Sequence, residues 1–238
     1  MVKKNNPFTE ILELVCRGYF FLLLQKIVSK VLPSRLLQLK KSAYFVLNRA
    51  PKIPTSENSM PNLKIYQGDE STVPRIVYDL YENHDSVLEF YEKFFQDAVQ
   101  PWVAENSGKI VGVVWLYKGY YIANWQGYDA YVMRLETEPD ALFFCNGFVD
   151  PDCRGQKIFP RIVSEVFEFH RETIFYSCID EGNFSSIRSH EKIGFRRCGA
   201  TYFVQLLGTV ISFSTTHAVF CKIHRIARGT MVHLRLSK

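Results

Sequence analysis

Apolar residues recur at helical spacing near the start of the chain. Ile11, Leu12, Val15, Tyr19, Leu22, Leu23, Ile27 and Val31 fall on one side of a helix over residues 8–32, with Arg17, Lys26 and Lys30 between them. A second basic and apolar stretch covers residues 35–44. Residues 50–59 follow, with two prolines and a polar cluster, and read as a linker with a boundary near residue 55. Residues 62–66 read as a short strand. Val87, Leu88, Phe90, Tyr91, Phe94, Phe95 and Ala98 return to a helical period. Residues 102–105 and 110–122 read as strands joined by the turn Asn106-Ser107-Gly108, and residues 128–135 and 141–149 as two more. A helix is predicted just after Lys157, its buried face formed by Phe159, Ile162, Val163, Val166 and Phe167. Residues 174–179 form the next strand. A helix over residues 184–193 has Asn183 as N-cap and Gly194 just past its end. Alternation resumes at Val219, Cys221 and Ile223 and at Val232, Leu234 and Leu236, with Arg228-Gly229 able to turn a C-terminal hairpin. This order describes an α/β domain with a mixed sheet and helices on both faces. It divides into a helical amphipathic extension and linker (1–55), a core domain (56–210) and a C-terminal strand extension (211–238).

Composition narrows the classes. Of 238 residues, 47% are hydrophobic and 15% aromatic, enough for a sizeable core and unlike a disordered chain. Net charge is only +5 with the basic residues spread along the chain, which argues against a nucleic-acid partner. The six cysteines form no CxxC pair and no zinc spacing, so no metal is expected and a reducing, cytoplasmic setting is the simpler reading. The apolar run over residues 19–24 is far shorter than the about 20 residues a spanning helix needs. The basic amphipathic stretch over residues 8–32 suits contact with a membrane surface, and equally a helix packed on the domain or buried in a homodimer.

The chemistry is carried by two segments. Phe148-Val149-Asp150-Pro151-Asp152-Cys153-Arg154-Gly155-Gln156-Lys157-Ile158-Phe159 takes a strand through a tight loop into an amphipathic helix. Backbone N–H groups in such a loop and first turn converge, and the helix dipole adds positive potential, which makes an anion site. The second segment is Asn183-Phe184-Ser185-Ser186-Ile187-Arg188-Ser189-His190-Glu191-Lys192-Ile193-Gly194-Phe195.

Together these segments resemble the GNAT acyltransferases. That superfamily places R-x-x-G-x-G/A after a strand and a proline, and later N-x-x-[AS]-x-x-L-Y-E-K-x-G-F. Asn183, Ser186, Glu191, Lys192, Gly194 and Phe195 match in register, and the resemblance covers about residues 60–207. It implies a GNAT-like sheet in which the strand over 141–149 splays from that over 174–179. The pantetheine arm of acetyl-CoA, or of another acyl-CoA, would lie in the gap against Phe148 and Val149. Arg154, Gly155, Gln156, Lys157, Ile158 and Phe159 would hold the pyrophosphate, with Asn183 and Ser186 beside the arm. The implied reaction is direct acyl transfer to an acceptor amine, a small molecule such as an amino sugar or glycan precursor.

Two departures bear on this. Lys157 and Phe159 stand where the family has glycines. Lys157 either adds a contact to a phosphate or crowds the loop, whereas Phe159 is expected to turn into the core. His190 stands where the family often has a tyrosine acid. It is a candidate acid itself, or a histidine favoured by the dipole at a helix end. Asp180 and Glu181 are the candidate bases near the acyl end. Cys145 reads as buried filler, and residues 115–125 as core or an acceptor-pocket wall. Two rival classes stay open: a non-catalytic acyl-CoA-binding module, and a peripheral protein at the inner face of a membrane that keeps only the fold.

Overall fold

A computed structural model describes residues 20–32, 37–51, 60–82, 84, 88, 100–124, 131–171, 173–206, 209–215, 220–225 and 230–235. Apart from Leu88, the helical period over residues 87–98 lies outside them, as do residues 52–59 of the linker and the whole N-terminal stretch before residue 20.

The first helix is α1 (Phe20–Val31), followed by strands β1 (Leu37–Leu47) and β2 (Leu63–Gln67) and helix α2 (Thr72–Leu80). Then come β3 (Gln100–Asn106), β4 (Lys109–Lys118), β5 (Tyr120–Asn124), β6 (Tyr131–Glu136) and β7 (Leu142–Val149). Helix α3 (Ile158–Phe169), β8 (Phe175–Asp180), α4 (Phe184–Ile193), β9 (Arg196–Leu206), β10 (Thr209–Ser214), β11 (Phe220–Arg225) and β12 (Thr230–Arg235) complete the described elements. Nine strands form one sheet in the order β11-β10-β9-β1-β8-β7-β4-β3-β2. Every neighbouring pair in it is antiparallel except β7 and β8. A second sheet has the order β12-β6-β5.

Helices cover both faces of the large sheet. On one side Val73, Ile76, Val77 and Leu80 of α2, with Leu135 of β6, pack on Val103, Val113, Trp115, Phe143 and Tyr176. On the other, Ile158, Ile162, Val163 and Val166 of α3 and Ile187 and Ile193 of α4 pack on Val111, Val114, Leu116, Phe144 and Phe175. This two-sided cover explains why β4 is apolar from Ile110 to Tyr117 without alternation: both of its faces are core. Its run was expected to continue to residue 122. It breaks instead at Gly119, whose φ of 72° only glycine adopts freely, and β5 leaves for the second sheet.

Three further differences from the sequence reading stand out. Helix α2 has no counterpart in it. The Asp69 carboxylate starts this helix, accepting from the Thr72 N–H at 3.1 Å and its hydroxyl at 2.9 Å. Residues 37–47, assigned to a helical extension ahead of a boundary near 55, are a strand of the central sheet. β1 lies between β8 and β9 and pairs with both, Ser42 opposite Asp180 and Thr201. A strand enclosed on both edges and both faces need not alternate, and its lysines face Asp180 at the end of β8 and Glu181 just after it. Finally, the C-terminal hairpin is β10 with β11, Ser214 opposite Phe220. β11 and β12 do not pair across Arg228-Gly229; β12 joins β6 in parallel instead.

Candidate active site

β7 and β8 pair only at Leu142↔Phe175, Phe143↔Tyr176 and Phe144↔Ser177. Beyond Phe144 the two strands diverge, and among the described residues β7 keeps β4 as its only strand neighbour while β8 keeps β1. A wedge opens toward Val149 and Asp180, and along it the β7 backbone pairs with no strand among the described residues. A bulge sits at its narrow end. Val113 pairs with Phe148 and Trp115 with Cys145, so Val114 alone faces Asn146 and Gly147. Asn146 takes φ 46°, and its buried carboxamide nitrogen has no hydrogen-bond partner among the described residues. The adjacent Cys145 thiol donates to the Trp115 carbonyl at 3.4 Å, and burial raises its pKa well above the ordinary range, which fits filler rather than a nucleophile.

At the wide end the chain turns through a short 3₁₀ segment, Pro151–Cys153. The Asp150 carboxylate organises the turn, accepting from the Asp152 N–H at 3.0 Å and from Lys109 Nζ at 2.8 Å. The Lys109 bond holds the Asp150 carboxyl below its ordinary pKa. Arg154 folds back, its Nε donating to the Val149 carbonyl at 3.2 Å and its guanidinium 5.8 Å from the Phe148 ring centre. Gly155 and Lys157 both have positive φ, 83° and 62°. Lys157 thus adopts the conformation for which the motif glycine is suited, and it stands as N-cap of α3 without a side-chain cap bond. The N–H groups of Ile158 and Phe159 open the helix with no intrahelical acceptor, beside the wedge. Gly112 lets this helix end approach β4: a Cβ there would lie 2.8 Å from Ile158 Cγ2.

α4 forms beyond the end of β8. Asn183 caps it, its Oδ1 accepting from the Ser186 N–H at 3.2 Å and the Ser185 hydroxyl at 3.1 Å. Gly194, at φ 107°, ends it. His190 is buried, its ring centre 4.8 Å from that of Phe159 and 4.9 Å from that of Phe195. Phe159 therefore turns inward as expected, and it joins the first turn of α3 to the last turn of α4. His190 Nδ1 lies 2.8 Å from the Ser186 carbonyl, so it donates there. Burial pushes the His190 pKa down to about 4, leaving a neutral ring at pH 7.

The two acidic candidates part company. Asp180 is exposed, its Oδ1 accepting from the Gly182 N–H at 2.9 Å and its Oδ2 lying 3.7 Å from Lys40 Nζ. Glu181 is 1% exposed. Arg197 meets both its oxygens, at 3.1 and 2.6 Å, and Lys41 meets Oε1 at 3.1 Å. The structure thus brings Phe148, Val149, the loop over 154–159, Asn183, Ser186 and His190 around one wedge, and turns Glu181 toward β1 and β9. Sequence reasoning missed the Asn146 bulge, although Asn-Gly inside an apolar strand is a known sign of one. Among the described residues, no group of three His, Cys, Asp or Glu could hold a metal ion.

The sequence model of the Acetyltransferase (GNAT) family matches residues 65–195, more than half of the chain. The protein belongs to this family. The strands over residues 141–149 and 174–179 part after Phe144↔Ser177, as the resemblance implied. Similar solved structures include a functionally unknown conserved protein from Staphylococcus epidermidis, at 14% identity and TM-score 0.48, covering 77% of this chain and 66% of that one. An aminoglycoside N-acetyltransferase solved with CoA shows 17% identity and TM-score 0.40, over 56% of this chain and 91% of its own. A Salmonella typhimurium protein solved with its cofactor acetyl-CoA shows 16% identity and TM-score 0.38, over 61% and 94%. No curated protein matches the sequence.

Proposed function

We propose that this GNAT protein transfers an acetyl group, or another acyl group, from acyl-CoA to the amine of a small acceptor. The observation that carries the reading is the end of β7–β8 pairing at Phe144↔Ser177, with a helix N-terminus at the mouth of the wedge that results. The unpaired β7 backbone offers donors and acceptors along a length of strand, which suits the amide groups of a pantetheine arm. The N–H groups over residues 155–159 suit its pyrophosphate. In the reaction the acceptor nitrogen attacks the thioester carbon, the carbon–sulfur bond breaks, and the amine proton passes to a base while the thiolate takes up a proton. The Asn146 carboxamide, a buried donor without a partner at the narrow end, is suited to the acyl carbonyl as charge develops there.

Asp180 remains our candidate base, being the acid of the pair not enclosed by cations on both oxygens. For His190 we infer a positioning role: a neutral imidazole that donates to Ser186 and packs on Phe159 is poorly placed to supply a proton. The same observation favours a second reading, an acyl-CoA-binding protein without turnover. Titration calorimetry with acetyl-CoA and with free CoA tests the common part of both. Saturable micromolar binding is expected, and absence of binding at millimolar ligand by folded protein overturns both. A thiol-release assay over a panel of amino sugars and simple amines then separates enzyme from binder.

A further inference from the structure

We propose that the outward face of α1 is a docking surface for an anionic lipid membrane. The proposal stands apart from the acyl-transfer reading. α1 is two-sided. Leu22 is buried at 5% exposure and the Phe21 ring meets the Tyr202 ring edge-on at 5.2 Å, which fixes the helix to β9. The other side carries Leu24, Ile27 and Val31 at spacings of three and four, exposed by 39%, 50% and 73%, with Leu32 following at 39%. Of the seven large apolar side chains exposed among the described residues, these are four. Phe213 is a fifth, and it lies directly opposite Tyr202 in the β9–β10 register, on the sheet face that α1 covers. A helix that only closes a soluble domain puts polar residues on its outer side. Here that side is apolar, and contiguous exposed apolar surface marks a site of interaction.

Charge decides the occupant. Between Glu13 and Glu57 the chain has eight basic residues and no acidic one, and of these Lys40 and Lys41 face Asp180 and Glu181 across the sheet. On α1 itself Lys26 and Lys30 are both exposed. A second copy docking on this face would bring an equally basic segment against it, and like charges facing each other oppose association. An anionic bilayer satisfies both features. Phosphate groups of the lipid meet the lysines, and the apolar side chains enter the boundary between headgroups and acyl chains, about 5–10 Å deep. With 12 residues, α1 lies in that interface and does not cross it.

The test is co-sedimentation of the full chain with vesicles of phosphatidylcholine alone, and of phosphatidylcholine and phosphatidylglycerol in equal parts, at low and high salt. Binding to the anionic vesicles is expected to exceed that to neutral ones about tenfold and to weaken with salt. The double variant Ile27→Glu, Val31→Glu is expected to lose it with an unchanged unfolding midpoint. Lys26→Glu with Lys30→Glu tests the charge separately, and Tyr78→Glu, an exposed aromatic on α2, is expected to bind as the parent does. No binding to anionic vesicles at low salt, or binding by both double variants equal to the parent's, overturns the proposal. So does a dimer by light scattering that Ile27→Glu, Val31→Glu dissociates while vesicles bind neither form.

Discussion

The two edges of β8 behave in opposite ways. Toward β1 it is paired along its whole length, from Leu47↔Phe175 to Ser42↔Asp180, and the seam is closed at its end by Glu181 between Lys41 and Arg197. Toward β7 the pairing stops after three residues. A sheet that leaves an internal edge open forgoes backbone hydrogen bonds there, and those groups need a partner of another kind. The closed seam is what makes this tolerable, because it fixes β8 without help from β7. The lesson is that Glu181, which looks like a base by its place after the strand, belongs to the wall rather than to the chemistry.

Breaking the closed side has the largest expected effect. Glu181→Leu leaves Lys41 and Arg197 facing each other with no carboxylate between them. Uncompensated charges in a buried network typically cost about 3 kcal/mol, and the partial exposure of Arg197 puts this case at or below that. Chemical unfolding should show the loss. Arg197→Leu should cost less, since Lys41 still answers the carboxylate. If Glu181→Leu unfolds like the parent and only turnover falls, the division between wall and chemistry fails.

The next effect depends on pH and concerns the contact between α3 and α4 across the wedge. An unfolded histidine takes up its proton near pH 6.5, whereas His190 in the fold does so only near 4. Between these values the unfolded state binds more protons, so stability falls as pH drops through the window and levels off below it. The full span corresponds to about 3 kcal/mol, and at pH 7 the penalty is absent. His190→Phe should flatten this slope while leaving turnover within a few-fold. A large fall in turnover with acetyl-CoA affinity kept would return His190 to the mechanism.

How much of this was legible beforehand divides along the same line. The open side could be read from local signals: Pro151, Arg154 and Gly155 after an apolar strand, then Asn183 and Gly194 at either end of a short helix. Each of these acts within a few residues of itself, through a turn, a cap or a left-handed backbone angle. The closed side was not legible. β1 reads as a basic, amphipathic stretch because its strand partners lie more than 125 residues away, and nothing near Lys41 announces Glu181. The N-terminal boundary was misplaced for the same reason: a proline-rich linker looks alike whether the segment before it is an appendage or a central strand. Asn146 was visible as Asn-Gly, but its unpartnered carboxamide is a fact of the folded wedge alone.

Asn183→Ala acts on the open side more mildly. Loss of the cap on α4 should cost about 1 kcal/mol and weaken acetyl-CoA binding, since the capped turn borders the wedge. Calorimetry beside thermal unfolding separates the two. Unchanged affinity in a stable Asn183→Ala would mean that the cofactor arm lies elsewhere.

The smallest stability change, and the sharpest question, concerns Lys157. Its left-handed φ of 62° strains any residue with a Cβ, so Lys157→Gly should raise stability by up to about 1 kcal/mol. If the lysine serves only as a poor glycine, that variant should bind acetyl-CoA at least as well as the parent. If its ammonium meets a phosphate, affinity should fall several-fold and the salt dependence of binding should shrink. Lys157→Gln keeps the strain and removes the charge. Equal losses of affinity in both variants, with a stability gain in Lys157→Gly alone, would assign the lysine to the ligand. An affinity gain in Lys157→Gly with none in Lys157→Gln would make the backbone angle the deciding feature. The open side would then be shaped by conformation more than by charge.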